Sequence, residues 1–267
     1  ARDAPGHSPV DGRGPSHILY VFRRMPVIVD QAPAPVVVIV SANAEWEASR
    51  SVIIELFGAI DAAPTAYGAA MTGTAATQRG PVPVCFVHGG WGKISAAASA
   101  QAAIDRWAPS LLVNLGTCGG FEGAIARDTV ILVTRTLVYD IVEQMGDADA
   151  ALEAYAVDLD LTWLREPYPL PVQPGLLLSA DRDLIRDQVP ELQRRFGGVA
   201  GDWESGAIAY VAAANRTRCL ILRGVTDLVG PGGGEAYGDP GFFRKRAAAV
   251  MTRLVTSLPA WLACVDA

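Results

Sequence analysis

Histidine is nearly absent. The 267-residue chain has three, His7, His17 and His88, and the first two stand in a Pro- and Gly-rich leader. Chemistry that needs a histidine of the folded region therefore has only His88, which argues against a two-histidine metal site. Cysteine is scarce and scattered. Cys85, Cys118, Cys219 and Cys264 show no metal-ligand spacing and read as free thiols of a cytosolic chain. Positive charge is also short: a net charge of −6 and a pI near 5.1 argue against a nucleic-acid partner, which calls for a clustered basic face. No apolar run approaches the roughly 18 residues of a membrane span. What is present, 51% hydrophobic and 19% charged residues, suits a soluble globular protein.

Residues 1–35 read as a flexible leader. Its apolar patch, Ile18–Phe22, is followed by Arg23 and Arg24, the wrong order for a signal peptide. The core is expected from Val36–Val40, VVVIV, a strand buried on both faces by its β-branched composition. A helix follows from Glu45 to about Phe57. Pro83–His88, Ser110–Leu115, Thr129–Tyr139, Leu176–Ser179 and Cys219–Leu222 read as further strands. Lys93–Trp107, Ser205–Ala214 and about Pro240–Trp261 read as helices, with another from about Arg182. This alternation predicts an α/β fold with a largely parallel sheet, in one domain over 36–267. Residues 140–174 break the pattern and read either as a site wall or as a surface insertion.

The stretch Asp202–Gly230 organises the rest. Glu204 opens its helix, and Asp227 is expected in a turn just past its strand. Ligands of open α/β sheets bind beyond the carboxyl ends of strands. Glu45 and Asp181 stand at comparable places. Any one such acid is ordinarily a first-turn carboxylate favoured by the helix dipole. Several of them with one arginine, Arg223, at the same sheet edge suggest acid–base chemistry on a polar small molecule. The glycine clusters GGWG (89–92) and GTCGG (116–120) are expected as turns after strands, serving either the chain reversal alone or close approach of a ligand to the backbone. Neither matches the dinucleotide fingerprint or the P-loop. Lys93 reads as a solvated lysine at a helix start.

Four segments resemble the purine nucleoside phosphorylase/uridine phosphorylase superfamily, and within it the 5′-methylthioadenosine/S-adenosylhomocysteine nucleosidases. They are VVVIVSANAEWE (36–47), GWGKISAA (90–97), VNLGTCGGF (113–121) with SAD (179–181), and Asp202–Val229. The likeness runs in one order over about residues 36–258. It implies a three-layer αβα fold around a twisted mixed sheet. It also implies hydrolysis of the N9–C1′ bond of a 5′-modified adenosine to release adenine, with no metal or organic cofactor. Asp227 is then the general acid for purine N7, Glu204 the acceptor of the ribose 2′- and 3′-hydroxyls, and Glu45 the base for water. Arg223 and Thr117 position that water. Thr226 orients Asp227, Asp183 and Leu184 meet the adenine, and Ala42, Gly92 and Trp203 complete the substrate contacts. The partners implied are a small-molecule nucleoside and a second copy of the chain, a homodimer, with no nucleic acid and no membrane.

Three departures matter. The superfamily's phosphate-binding arginine is replaced by Asn114, which favours hydrolysis over phosphorolysis. A methionine commonly beside the ribose carboxylate is replaced by Trp203. The base-stacking aromatic of many members falls at Asp183, which cannot stack equivalently. The rival readings are a nucleosidase for aminodeoxyfutalosine or a specialised metabolite, a phosphorylase, and a catalytically silent nucleoside-binding protein.

Overall fold

The computed structural model describes residues 34–62 and 64–266. The leader expected at 1–35 lies, through residue 33, outside them. The chain begins with β1 (Val36–Val40), α1 (Asn43–Phe57), β2 (Ile60–Asp61), β3 (Ala70–Thr77) and β4 (Gly80–His88). It continues with α2 (Gly92–Trp107), β5 (Leu111–Phe121), β6 (Val130–Val138), α3 (Ala148–Glu153), β7 (Ala156–Asp158) and β8 (Val172–Ser179). Then come α4 (Val189–Phe196), β9 (Ala200–Asp202), α5 (Ser205–Ala214), β10 (Cys219–Gly230), β11 (Gly233–Gly234) and α6 (Pro240–Ala263).

The period-2 geometry of a strand sends neighbouring side chains to opposite faces. In β1, Val36, Val38 and Val40 pack with Ile53 and Phe57 of α1 and with Met251, Leu254 and Leu258 of α6. Val37 and Ile39 pack with Ala96, Ala100 and Ile104 of α2 and with Ile208 and Ala212 of α5. Two helical layers thus enclose one sheet. This accounts for the uniformly apolar β1, because no face of it is solvated. The small residues of α2 bring that helix close to the strands.

The sheet is mixed. β1 runs parallel to β4 and β5, and β10 runs parallel to β5 but antiparallel to β6. β6, β8 and β9 are parallel in turn, and β9 meets β5 antiparallel. One half of the sheet therefore closes on itself in the circuit β5–β10–β6–β8–β9. β5 makes this possible by pairing with β1 through Leu111–Asn114 and with β9 at Gly119 and Gly120.

Four local expectations are corrected. GTCGG is no turn: β5 continues through it to Phe121, because β10 pairs with β5 from Leu112 to Phe121. Likewise β10 extends to Gly230, so Asp227 lies inside a strand rather than past its end. The helix placed from about Arg182 starts at Val189, after a short 3₁₀ turn at Arg186–Gln188. The antiparallel strands β2 and β3 were not expected: β2 has only Ile60 and Asp61, and β3 carries mostly small residues without clear alternation.

Candidate active site

The carboxyl ends of β1, β4, β8 and β9 converge on a cavity of about 430 Å³. Its wall includes Ala42, Glu45, Thr117, Trp203 and Glu204. Asp183, Leu184, Thr226, Asp227 and Tyr237 line it as well. Nine of the residues singled out from sequence thus meet at one surface. Gly92 reaches it through its amide, and Arg223 stands behind the wall.

Glu45 sits in the first turn of α1. Its Oε1 accepts from both the amide (2.6 Å) and the hydroxyl (2.7 Å) of Thr117 on β5. Its other oxygen receives only a long bond from the Ala42 amide, 3.4 Å. Burial pushes the Glu45 carboxyl above its usual range, against the opposing pull of Arg223 and Thr117.

Arg223 is 1% exposed. Its Nε donates to Asp202 Oδ2 (2.9 Å) and Ser205 Oγ (2.8 Å). Its Nη2 bonds Asn114 Oδ1 and Asp202 Oδ2, both at 2.8 Å. The register sets Arg223 opposite Gly116 on β5, and only a residue without a side chain leaves room for the guanidinium there. Asp202 was not singled out from sequence, although it stands two residues before Glu204. It also accepts from the Ser179 hydroxyl (2.6 Å) and from the amide and hydroxyl of Ser205. A buried cation so tied is a fixed charge rather than a mobile ligand arm.

Glu204 is the residue before α5, yet its side chain does not cap that helix. It turns to the cavity and accepts from the Gly92 amide at 3.1 Å. Gly92 has φ +82°, a left-handed backbone that favours glycine. Burial first, then the neighbouring Asp202, pushes the Glu204 carboxyl up to about 8. One protein donor leaves most of its lone pairs free for hydroxyls of a ligand.

A bulge between Val225 and Asp227 interrupts the β5–β10 register. Consecutive strand residues normally face opposite sides, but here Thr226 and Asp227 both line the cavity. The Thr226 hydroxyl lies 2.7 Å from Asp227 Oδ1. Burial raises the Asp227 carboxyl and Glu235 adds to the rise, while Thr226 opposes it. Nearby, the Tyr237 hydroxyl donates to the Leu184 carbonyl (2.8 Å), tying the 230–238 loop to the segment after β8.

Trp91, Arg182, Tyr237 and Phe243 also line the cavity and were not singled out. Trp91 lay inside a motif read for its glycines, and the glycine-rich 230–238 loop was the only signal for Tyr237. Among the described residues, no three or more His, Cys, Asp or Glu side chains are grouped so that they could hold a metal ion. No described helix is long and apolar enough to cross a membrane.

Similarity to known proteins agrees with this layout. Residues 37–259 match the family described as the phosphorylase superfamily. The chain is 27% identical over 190 residues to the 5′-methylthioadenosine/S-adenosylhomocysteine nucleosidase of Maridesulfovibrio salexigens, covering 66% of this chain and 81% of that one. It is 29% identical over 161 residues to the Thermotoga maritima protein of the same name, covering 57% and 71%. The Streptococcus pneumoniae nucleosidase with the transition-state inhibitor MT-ImmA superposes with a TM-score of 0.68 at 18% identity, covering 86% of this chain and 100% of that one. Apo Arabidopsis thaliana 5′-methylthioadenosine nucleosidase gives 0.67 at 21% identity, covering 86% and 96%. With most of its length matched and its acids gathered where a partly closed mixed sheet opens into one cavity, the chain belongs to the phosphorylase superfamily.

Proposed function

We propose that the protein is a nucleoside N-ribohydrolase. It cleaves the N9–C1′ bond of 5′-methylthioadenosine, S-adenosylhomocysteine or a related 5′-modified adenosine and releases adenine. The observation that carries this reading is the distribution of Glu45, Glu204 and Asp227, three of the four buried carboxylates that line one cavity of about 430 Å³. Each has its proton affinity raised. Each also has different partners, as separate duties require.

As the C1′–N9 bond stretches, positive charge grows on the sugar and negative charge on the purine. Asp227, whose proton affinity burial raises, gives its proton to N7 and turns the purine into a neutral leaving group. Glu204, raised to about 8 in the unliganded protein, gives up its proton to solvent as the 2′- and 3′-hydroxyls bind and donate to it, and the carboxylate so formed favours the cationic sugar more than the neutral substrate. Glu45 has Oε1 occupied by Thr117, so Oε2 is the oxygen that takes a proton from water. The hydroxide so formed bonds to C1′ and keeps its hydrogen as the new anomeric hydroxyl, while the one proton taken by Glu45 returns to solvent after the sugar leaves. Arg223 holds Asp202 and Asn114 in place behind this set and supplies fixed positive charge near Glu45.

Water rather than phosphate is the acceptor in this reading. Asn114 stands where a phosphorylase carries its phosphate arginine. It is buried and occupied, accepting from Arg223 and donating to the Ile39 carbonyl (3.0 Å). Residues 36–267 form the catalytic domain. It works without metal or organic cofactor, as a cytoplasmic homodimer, in nucleoside breakdown of the methionine-salvage kind. Incubation of the pure protein with 5′-methylthioadenosine, with and without phosphate, tests the central claim. Adenine and free methylthioribose are expected in both cases. A sugar 1-phosphate that forms only with phosphate present would overturn the hydrolase reading.

A further inference from the structure

Two peptide planes meet at the Cα of Asp227, and a charged side chain from elsewhere in the chain grips each of them. The plane before it carries the Thr226 carbonyl, which accepts from Nε of Arg246 on α6 at 3.2 Å. The plane after it carries the Leu228 amide, which donates to Oε2 of Glu235 at 2.8 Å. Both grips lead back to one turn between β5 and β6. Nη2 of Arg246 donates to Asp128 Oδ1 (2.6 Å), and Nη1 of Arg127 lies 3.3 Å from Glu235 Oε1. Two neighbours in sequence thus hold both grips, and neither of them lines the cavity.

Ion pairs as exposed as these contribute little by themselves: the Arg127 and Asp128 side chains are 48% and 60% exposed. Their weight lies in what they reach. The bulge takes Thr226 out of the β5–β10 ladder, because Val225 and Asp227 pair with consecutive residues of β5, Cys118 and Gly119. A bulged residue loses ladder bonds, so its carbonyl needs another donor. Arg246 is that donor. Asp128 takes a left-handed backbone, φ +65°, which is uncommon for a residue with a side chain. Its amide donates to the Val225 carbonyl (3.0 Å), and its own carbonyl accepts from Nη1 of Arg253 on α6 (2.9 Å). The turn is therefore tied to the bulged strand and to α6 alike.

We infer that the Arg127–Asp128 turn is a positioning device for the acid, fixing through Arg246 and Glu235 the two peptide planes beside Asp227. A residue has two soft backbone dihedrals, and these planes set both of them for Asp227. They therefore set the direction in which its side chain enters the cavity. The inference rests on the reading that Asp227 gives its proton to the purine. Glu235 acts in a second way as well. Burial raises the Asp227 carboxyl most; Glu235 and Asp183 add to the rise, and the Thr226 hydroxyl and the Ala236 amide oppose it. Cys118 and Tyr237, each pushed up by burial, face Asp227 as neutral groups.

The test compares Asp128→Gly, which suits the left-handed backbone but has no carboxylate, and Arg246→Gln with a remote control. The control is Arg135→Gln, which removes a similarly exposed pair of contacts to Glu153 and Asp158. In Asp128→Gly and Arg246→Gln, kcat for adenine release from 5′-methylthioadenosine is expected to fall about tenfold, with KM changed by less than about twofold. Asp128→Asn, which keeps an acceptor oxygen, should recover part of the loss. Arg135→Gln should lose comparable melting temperature and keep its kcat. Glu235→Gln keeps an acceptor for the Leu228 amide but loses the charge, so the alkaline limb of its kcat profile should move to lower pH. Hydrogen exchange over residues 224–230 should quicken by about fivefold in Arg127→Gln and Asp128→Gly, and not in Arg135→Gln. An equal kcat loss in the control, a loss confined to KM, an unmoved limb in Glu235→Gln or unchanged exchange would overturn the inference. If the wild type releases no adenine, the proposed activity fails, and exchange alone decides: quickening confined to residues 224–230 sustains the clamp on Asp227, and equal rates in all variants sink it.

Discussion

A Cβ on Gly116 would lie 1.5 Å from Nη1 of Arg223 and 3.2 Å from Oε1 of Glu45. The absent side chain is the space through which the buried cation approaches the buried acid. Arg223 cannot swing aside, because Asp202, Ser205 and Asn114 hold its other nitrogens. Gly116→Ala is therefore expected to break part of this network. Leaving a buried charge underpaired costs about 3 kcal/mol, and turnover should fall with it. Thermal melting and adenine-release rates on the same preparation check both effects. A variant with wild-type melting temperature and rate would show that Arg223 relaxes freely.

Asp227 and Thr226 make a second test. Asp227→Asn keeps the shape but cannot give a proton, and kcat is expected to fall by about 10² to 10⁴. Thr226→Val has a signed effect. The Thr226 hydrogen bond opposes the rise of the Asp227 carboxyl, so removing it raises that acid further. The protonated acid is the active form in the proposed mechanism and is lost as pH rises through its pKa. The alkaline limb of the kcat profile should therefore move to higher pH in Thr226→Val. A limb that stays put or moves down would separate Asp227 from the proton donation.

The acids were the legible part of this site, and the reason is chemical. Glu45, Glu204 and Asp227 are polar residues set at the ends of apolar stretches, so each stands out without knowledge of the fold. The glycines misled for a related reason. In GTCGG and RGVTDLVG they suggest turns, but in β5 and β10 they sit inside paired strands. There a side chain at Gly120 would meet Val225 and Ile125 at 2.7 Å, and one at Gly224 would meet Val250 at 2.3 Å. Only the pairing of β5 with β10, about a hundred residues apart in sequence, reveals this use. Asp202 and the Trp91–Trp203 stack were hidden in the same way, since their partners come from distant segments.

Stability should fall with rising pH in the unliganded protein. The Glu204 carboxyl lies at about 8 when folded, against 4.5 for an unperturbed glutamate. An acid raised in the folded state binds its proton more tightly there. Its contribution is fully present below about 4.5 and is lost as pH rises through about 8. Within that window the slope is at most about 1.4 kcal/mol per pH unit. Burial shifts Glu45 and Asp227 in the same direction, so they add to the trend. The melting temperature is expected to drop between pH 5 and pH 8.5, with a shallower drop in Glu204→Gln. A melting temperature that rises over this range in the wild type would contradict the burial argument.

Lys93, which looks from sequence like a solvated lysine at a helix start, joins three loops around the cavity. Its Nζ pairs with Asp140, beyond β6, and lies 4.0 Å from Asp181, beyond β8. Its amide donates to Asp181 Oδ1 (2.7 Å), and the Asp181 amide donates to Asp140 Oδ2 (3.0 Å). Asp181 leads into Asp183 and Leu184 of the cavity wall, and Lys93 follows Gly92, the donor to Glu204. Lys93→Met leaves two neighbouring carboxylates facing each other without their cation. The group is partly exposed, so the stability cost should be modest, about 1 kcal/mol. The larger effect should fall on positioning. KM for 5′-methylthioadenosine is expected to rise by about fivefold, kcat to change less, and Lys93→Arg to recover most of the loss, because a charged fork can still span both acids. An unchanged KM in Lys93→Met, or a loss confined to kcat, would mean that these loops hold their places without the lysine.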